Sequence, residues 1–110
     1  MDSGFSVDIA EFDGEVVVAL HGEIDMASAE ALRDAVEPYL GPKQTIALDL
    51  SGVTFADSSL LSFLVQARGA LVEHGGTLLL RNPSAAAHRI LQVGELIDLV
   101  DAEVDRQDEG

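Results

Sequence analysis

The chain contains no cysteine, and only 6 of its 110 residues are lysine or arginine, against 20 aspartates and glutamates. The absence of cysteine excludes disulfides and thiolate metal sites. The net charge of −14 argues against binding to nucleic acid or to an anionic membrane, because both need clusters of basic side chains. A basic protein partner would suit this charge.

The sequence also lacks any apolar run long enough to cross a bilayer. Its first residues carry neither the basic patch nor the apolar stretch of a signal peptide. We therefore expect a cytoplasmic protein. The length of 110 residues and the apolar content of 47% predict one domain over 1–110, with a core of about 5–104 and a polar tail over 105–110.

Apolar patterning predicts the strands. Phe5 to Phe12 alternates, as in a half-exposed strand, whereas Val16 to Leu20 is continuous and predicts a strand buried on both faces. Asp13-Gly14 between them is a strong hairpin signal. Three more strands are predicted at Thr45 to Leu50, at Thr77 to Leu80 and within Ile97 to Val104.

Apolar residues at helical spacing predict three helices. The first ends near Leu40, the second runs from about Ser58 to His74, and the third follows Ser84 as a helix N-cap, with Ala87, Ile90 and Leu91 as its inner face. Helices that alternate with strands after a hairpin predict a small α/β domain. Its sheet would be mixed, with the later strands parallel.

The most informative stretch leads from the strand at Thr45 to Leu50, through a short turn, to Asp57-Ser58-Ser59. The two serines would lie at the start of the second helix, where backbone N–H groups are unpaired and the helix dipole favours an anion. A serine there is either a plain cap or a phosphorylation switch.

Established catalytic and cofactor-binding motifs are absent, so we expect no enzyme activity, no cofactor and no metal site. The three histidines, His21, His74 and His88, lie far apart in sequence and in different elements. A hydrolase with Ser59 as nucleophile and one histidine as base is the enzyme hypothesis, but no spacing supports it.

The second helix carries more apolar residues than one sheet face requires. Leu61, Leu64, Val65 and Leu71 form one stripe, which we assign to the core. An exposed remainder that includes Leu60 and Phe63 would be a patch for a protein partner. Complete burial of Phe63 is the alternative.

Two segments together resemble a known family. Leu20-His21-Gly22-Glu23-Ile24-Asp25-Met26-Ala27-Ser28 and Asp49-Leu50-Ser51-Gly52-Val53-Thr54-Phe55-Ala56-Asp57-Ser58-Ser59 look like a STAS domain, and more specifically like bacterial anti-sigma factor antagonists. The resemblance extends from about Phe5 to Val104. It implies a STAS-like fold with helices mainly on one side of the sheet.

The resemblance implies partner switching in transcription regulation and the stress response. Such antagonists bind an anti-sigma factor that is also a serine kinase, which frees the sigma factor. The kinase phosphorylates a serine of the Asp-Ser-Ser segment, the antagonist lets go, and a serine phosphatase resets it. By position the acceptor is Ser59, with Ser58 as the alternative acceptor or a cap. Asp25 matches a position at the kinase-facing surface, or is an N-cap of the first helix.

The expected partner surface is therefore Asp25, Asp57, Ser58, Ser59, Leu60 and Phe63, on a monomer or weak dimer. One residue departs from the family pattern, because Leu60 replaces the glycine that usually follows the acceptor. Leu60 would leave a kinase less room. Either the kinase has adapted, or the chain is a STAS scaffold without a phospho-switch, in a stress-signalling complex or beside a transporter.

Overall fold

A computed structural model describes residues 4–96. The strand predicted within Ile97 to Val104 and the tail 105–110 lie outside the described residues. The chain forms the strands β1 (Phe5–Phe12), β2 (Glu15–Ile24), β3 (Thr45–Ala56) and β4 (Thr77–Arg81), and the helices α1 (Met26–Val36), α2 (Ser58–Glu73) and α3 (Ala85–Val93). A 3₁₀ turn, Glu37–Tyr39, follows α1.

The four strands form one mixed sheet in the order β1-β2-β3-β4. β1 and β2 are antiparallel, and their register pairs Phe12 with Glu15, so that Asp13 and Gly14 alone form the turn. Both turn residues have positive φ, 57° and 80°, as the tightest hairpin turns require. β2, β3 and β4 are parallel to one another. The predicted α/β class and mixed sheet are confirmed.

The core lies between one face of the sheet and the helices. Along β2 burial alternates, with Val16, Val18 and Leu20 buried and Val17 and Ala19 only partly so. The prediction that this strand is buried on both faces is therefore wrong. The continuous apolar run does not reflect two covered faces, because the side chains between the buried ones stay partly exposed.

β3 is longer than predicted, because it continues past Leu50 to Ala56. Two register shifts against β2 accommodate the extra length, and the strand then pairs Phe55 with Glu23 and Ala56 with Ile24. Gly52 permits a close approach here, since a Cβ on it would lie 2.7 Å from the carbonyl oxygen of Leu20. The segment expected to be a short turn is thus the end of a strand.

The helix ends follow local chemistry. α1 stops at Val36 rather than near Leu40, because Pro38 cannot continue the α-helical hydrogen bonding. α2 ends at Glu73 as predicted, and Gly75 follows with φ of 79°. Ser84 caps α3, its hydroxyl accepting from the N–H of Ala87, and this prediction is confirmed.

Candidate functional site

The predicted switch segment lies where β3 passes into α2. Asp57 is the N-cap of α2, and its Oδ1 accepts a hydrogen bond from the N–H of Ser59 at 2.8 Å. The N–H of Leu60 donates to the carbonyl oxygen of Asp57 at 3.0 Å. The N–H of Ser59, expected to be unpaired, is thus already bound by a carboxylate.

The two serines differ in position and exposure. Ser58 is the first residue of α2 and is exposed, and it is not the cap that we considered, because Asp57 takes that role. Ser59 is half-buried. Both serines therefore belong to the first turn of α2, and Ser58 is the more exposed of the two.

Asp25 occupies the same position at the start of α1. Its Oδ1 accepts from both the N–H and the hydroxyl of Ser28, each at 3.0 Å. The backbone hydrogen bond from Ser28, aided by its hydroxyl, lowers the pKa of Asp25. The cap role weighed for Asp25 is confirmed, and the carboxylate is also exposed to solvent.

The fold places the two caps side by side. Ile24 and Ala56 are partners at the ends of two parallel strands, and each is followed by a capping aspartate. The N–H of Asp57 donates to the carbonyl oxygen of Ile24 at 3.2 Å, which ties the two segments together. The residues of the two sequence motifs thus meet at one edge of the sheet.

A cavity of about 330 Å³ lies between α1 and the first turns of α2. Ser59 lines it, and the other lining residues are Met26, Ala29, Glu30, Arg33 and Ser62. Met26 is 78% exposed despite being apolar. The sequence-based prediction of the site missed Met26 and Arg33, although Met26 lies in the first motif and Arg33 lies in the last turn of the helix that follows it.

The predicted exposure of Leu60 and Phe63 is wrong, and the alternative, complete burial of Phe63, is confirmed. Leu60 has no exposed surface, and Phe63 has 2%. The buried residues of α2 are Leu60, Phe63, Leu64, Ala67 and Leu71, so two of the four residues assigned to the core, Leu64 and Leu71, are confirmed, and Leu61 is half-buried. Val65, which we assigned to the core, is 58% exposed. Because the helix is apolar on most sides, its sequence did not determine which side packs.

Burial of Leu60 also bears on the expectation that this residue would leave a kinase less room. Its side chain lies wholly in the core, so it takes no space on the solvent side of Ser59. Phe63 forms part of a second cavity of about 210 Å³ between α1 and α2, which Arg33, Glu37, Leu40, Gln66 and Ala67 also line.

The histidines have separate local roles. The Nε2 of His21 lies 3.3 Å from a carboxylate oxygen of Asp8, and the Nδ1 of His74 lies 2.9 Å from the carbonyl oxygen of Ala70. His88 is exposed on α3. Over residues 4–96, no histidine hydrogen-bonds to Ser59, and no cluster of three or more His, Asp or Glu side chains is placed to hold a metal ion. No helix in this part of the chain is long and apolar enough to span a membrane.

Comparison with known families gives the identity of the fold. The model of a family described as "Mlab, STAS domain" matches residues 7–101. The chain belongs to the STAS domain family. The resemblance drawn from the two sequence motifs is confirmed, and both motifs contribute to the shared edge of this STAS domain.

Several relatives of this STAS domain carry a more specific name. The anti-sigma-B factor antagonist of Bacillus subtilis (strain 168) is 29% identical over 96 residues, which cover 87% of this chain and 88% of the relative. An anti-sigma factor antagonist from Mycobacterium paratuberculosis has a TM-score of 0.72 and 29% identity, covering 87% of this chain and 82% of that one.

The fold is also that of the anti-sigma factor antagonist SpoIIAA. Its unphosphorylated form has a TM-score of 0.78 at 23% identity and covers 96% of this chain and 98% of that one. Its phosphorylated form has a TM-score of 0.70 at 22% identity, with coverage of 92% and 98%. At these identities the likeness shows the fold alone.

Proposed function

We propose that this STAS domain is an anti-sigma factor antagonist, which binds an anti-sigma factor with serine kinase activity and so frees a sigma factor. The observation that carries the proposal is the Asp57-Ser58-Ser59 segment at an accessible helix start, tied to the capped Asp25. Two relatives at 29% identity are named anti-sigma factor antagonists, which supports the same role here.

The proposed binding surface is centred on the shared edge of the two caps. It keeps Asp25, Asp57, Ser58 and Ser59 from the sequence prediction. Met26, 78% exposed, replaces the buried Leu60 and Phe63 as the apolar contact. The net charge of −14 favours a partner whose surface is basic, because complementary charge speeds association and selects the partner.

Ser59 is the proposed acceptor of the phosphoryl group. Its Oγ forms a bond to the γ-phosphorus of ATP while the bond to the β-phosphate oxygen breaks, the hydroxyl proton passes to a base of the kinase, and ADP leaves. The product carries nearly two negative charges beside Asp57. Binding then requires desolvation of a dianion in an already acidic surface, so the complex dissociates.

Release would occur without unfolding. The modified group belongs to a helix N-terminus, where the dipole favours negative charge. SpoIIAA is known in an unphosphorylated and a phosphorylated form, and this fold matches both, which supports a switch that preserves the domain. A serine phosphatase would reset the protein in the cytoplasm, where a monomer or weak dimer suffices for the cycle.

A STAS scaffold without phosphorylation is the second candidate. The observation that favours it is the half-burial of Ser59, since a kinase must reach the Ser59 hydroxyl. Ser58 is the more exposed serine and is the alternative acceptor.

Incubation with candidate anti-sigma kinases and ATP, followed by mass mapping, separates these possibilities. We expect one phosphate on the wild-type chain, its loss in Ser59→Ala and its retention in Ser58→Ala. The reverse pattern assigns the acceptor to Ser58. Tight binding without phosphate establishes the scaffold, and failure to bind any such kinase contradicts the antagonist role.

A further inference from the structure

Arg33 lies beside the proposed switch, although neither motif contains it. It is a residue of α1 and lines the cavity that Ser59 and Ser62 line from α2. It also lines the second cavity, between α1 and α2 around Phe63. Among the described residues, Arg33 is the only basic one that lines either cavity.

The guanidinium group of Arg33 has no ion pair or hydrogen bond within residues 4–96. Arg68 and Arg89 also lack an ion pair within residues 4–96, so what distinguishes Arg33 is its place beside Ser59. Glu30 and Glu37 lie three and four residues away on the same helical stretch, yet neither is within ion-pair distance. The donors of Arg33 are therefore available to another group.

A phosphate on Ser59 would need such donors. The N–H of Ser59 is already bound to the carboxylate of Asp57, which also repels a second anion. The first turn of α2 thus offers less to a phosphate than an uncapped helix start would. Compensation has to come from across the cavity, where Arg33 is the available cation.

We propose that Arg33 binds the phosphoserine at position 59 within the same chain, with its planar guanidinium group donating to two phosphate oxygens. This inference rests on the proposed function for the presence of the phosphate. Arginine suits the role because its donors match the spacing of phosphate oxygens. The resulting bridge joins α1 to α2 across the cavity and withdraws Arg33 from any partner, which adds to release.

Phosphoserine inserted at position 59 during protein synthesis tests the bridge without any kinase. The second pKa of the phosphate, near 6 in an exposed phosphoserine, is followed by ³¹P NMR. We expect Arg33→Gln to raise it by roughly 0.3–0.7 of a unit, the range of a partly exposed ion pair. Arg33→Lys should recover part of this shift, because it keeps the charge and loses the planar fork.

Two further variants locate the phosphate. Arg68→Gln removes an exposed arginine of α2 that lines neither cavity and should leave the phosphate pKa unchanged. Glu30→Gln removes a negative charge from the cavity wall and should lower the pKa. Without the phosphate, the Arg33 variants should unfold at the wild-type temperature, because Arg33 is exposed and has no ion pair within residues 4–96.

Equal phosphate pKa values in wild type and Arg33→Gln would overturn the bridge. Equal shifts in Arg33→Gln and Arg68→Gln would do the same, because they would reflect net charge alone. Neither result bears on the antagonist function, which depends on kinase binding and phosphate mapping. Conversely, if the bridge forms but no kinase modifies the chain, the inference about Arg33 stands and the bridge has no biological role.

Discussion

Leu60 follows the proposed acceptor serine, and replacing it with alanine distinguishes a core residue from an interface residue. Its side chain has no exposed surface, so the substitution removes every contact beyond Cβ from a closed core. Such Leu→Ala changes cost about 2–5 kcal/mol. Taking about 3 kcal/mol, the midpoint of thermal unfolding should fall by roughly 12–24 °C, given about 4–8 °C per kcal/mol in a domain of this size.

Thermal and urea unfolding followed by circular dichroism measure this cost. Leu60→Met keeps the volume and should cost less than about 1.5 kcal/mol. Met26→Ala, at a side chain that is 78% exposed, should change stability by no more than about 0.5 kcal/mol while weakening the anti-sigma factor complex. A loss below about 1 kcal/mol for Leu60→Ala would refute the assignment of Leu60 to the core.

Three other perturbations test the fold. The backbone hydrogen bond from Ser28 at the start of α1 lowers the pKa of Asp25 from its ordinary value. The stability that the charged Asp25 contributes is therefore present above the ordinary aspartate pKa and is lost as the pH falls through the lowered pKa. Asp25→Asn should show a smaller loss of stability in acid titrations. Gly22→Ala should destabilise the domain by about 2 kcal/mol or more in urea unfolding, because φ is 97° and a Cβ would overlap a backbone carbonyl oxygen. The control, Gly69→Ala, lies in an open helical position and should stabilise the domain by about 0.5–1 kcal/mol. A tolerated Gly22→Ala would contradict the strand register. Glu15 and Arg81 are joined by two hydrogen bonds of 2.9 and 3.0 Å, and each side chain is 25% exposed. A double-mutant cycle on this pair should give a coupling free energy of about 0.5–1 kcal/mol. Additive effects of the two substitutions would show that the ion pair contributes nothing to stability.

Local chemistry made much of the fold predictable. The Asp13-Gly14 turn, the Ser84 cap and the end of α2 before Gly75 depend on residues adjacent in sequence, and each matches its prediction. The packing side of α2 was not predictable in this way. Apolar residues surround most of that helix, so its packing against α1, α3 and the sheet determines that Leu60 is buried and Val65 is exposed.

The site was predictable in part. The two aspartates fall in sequence motifs, and parallel pairing of β2 with β3 brings them together as caps. The cavity containing Met26 and Arg33 depends on how two helices approach each other. Neither residue stands out in composition or spacing, because each looks like an ordinary member of an amphipathic helix.

The proposed switch at Ser59 changes binding and leaves the fold intact. Calorimetric titration of a cognate anti-sigma factor with the unmodified chain and with the chain carrying phosphoserine at position 59 tests it directly, with unfolding temperatures measured on both. We expect tight binding by the unmodified chain, loss of most affinity on phosphorylation, and similar unfolding temperatures. Equal affinities of the two forms, or a phosphorylated chain that no longer folds, would contradict it.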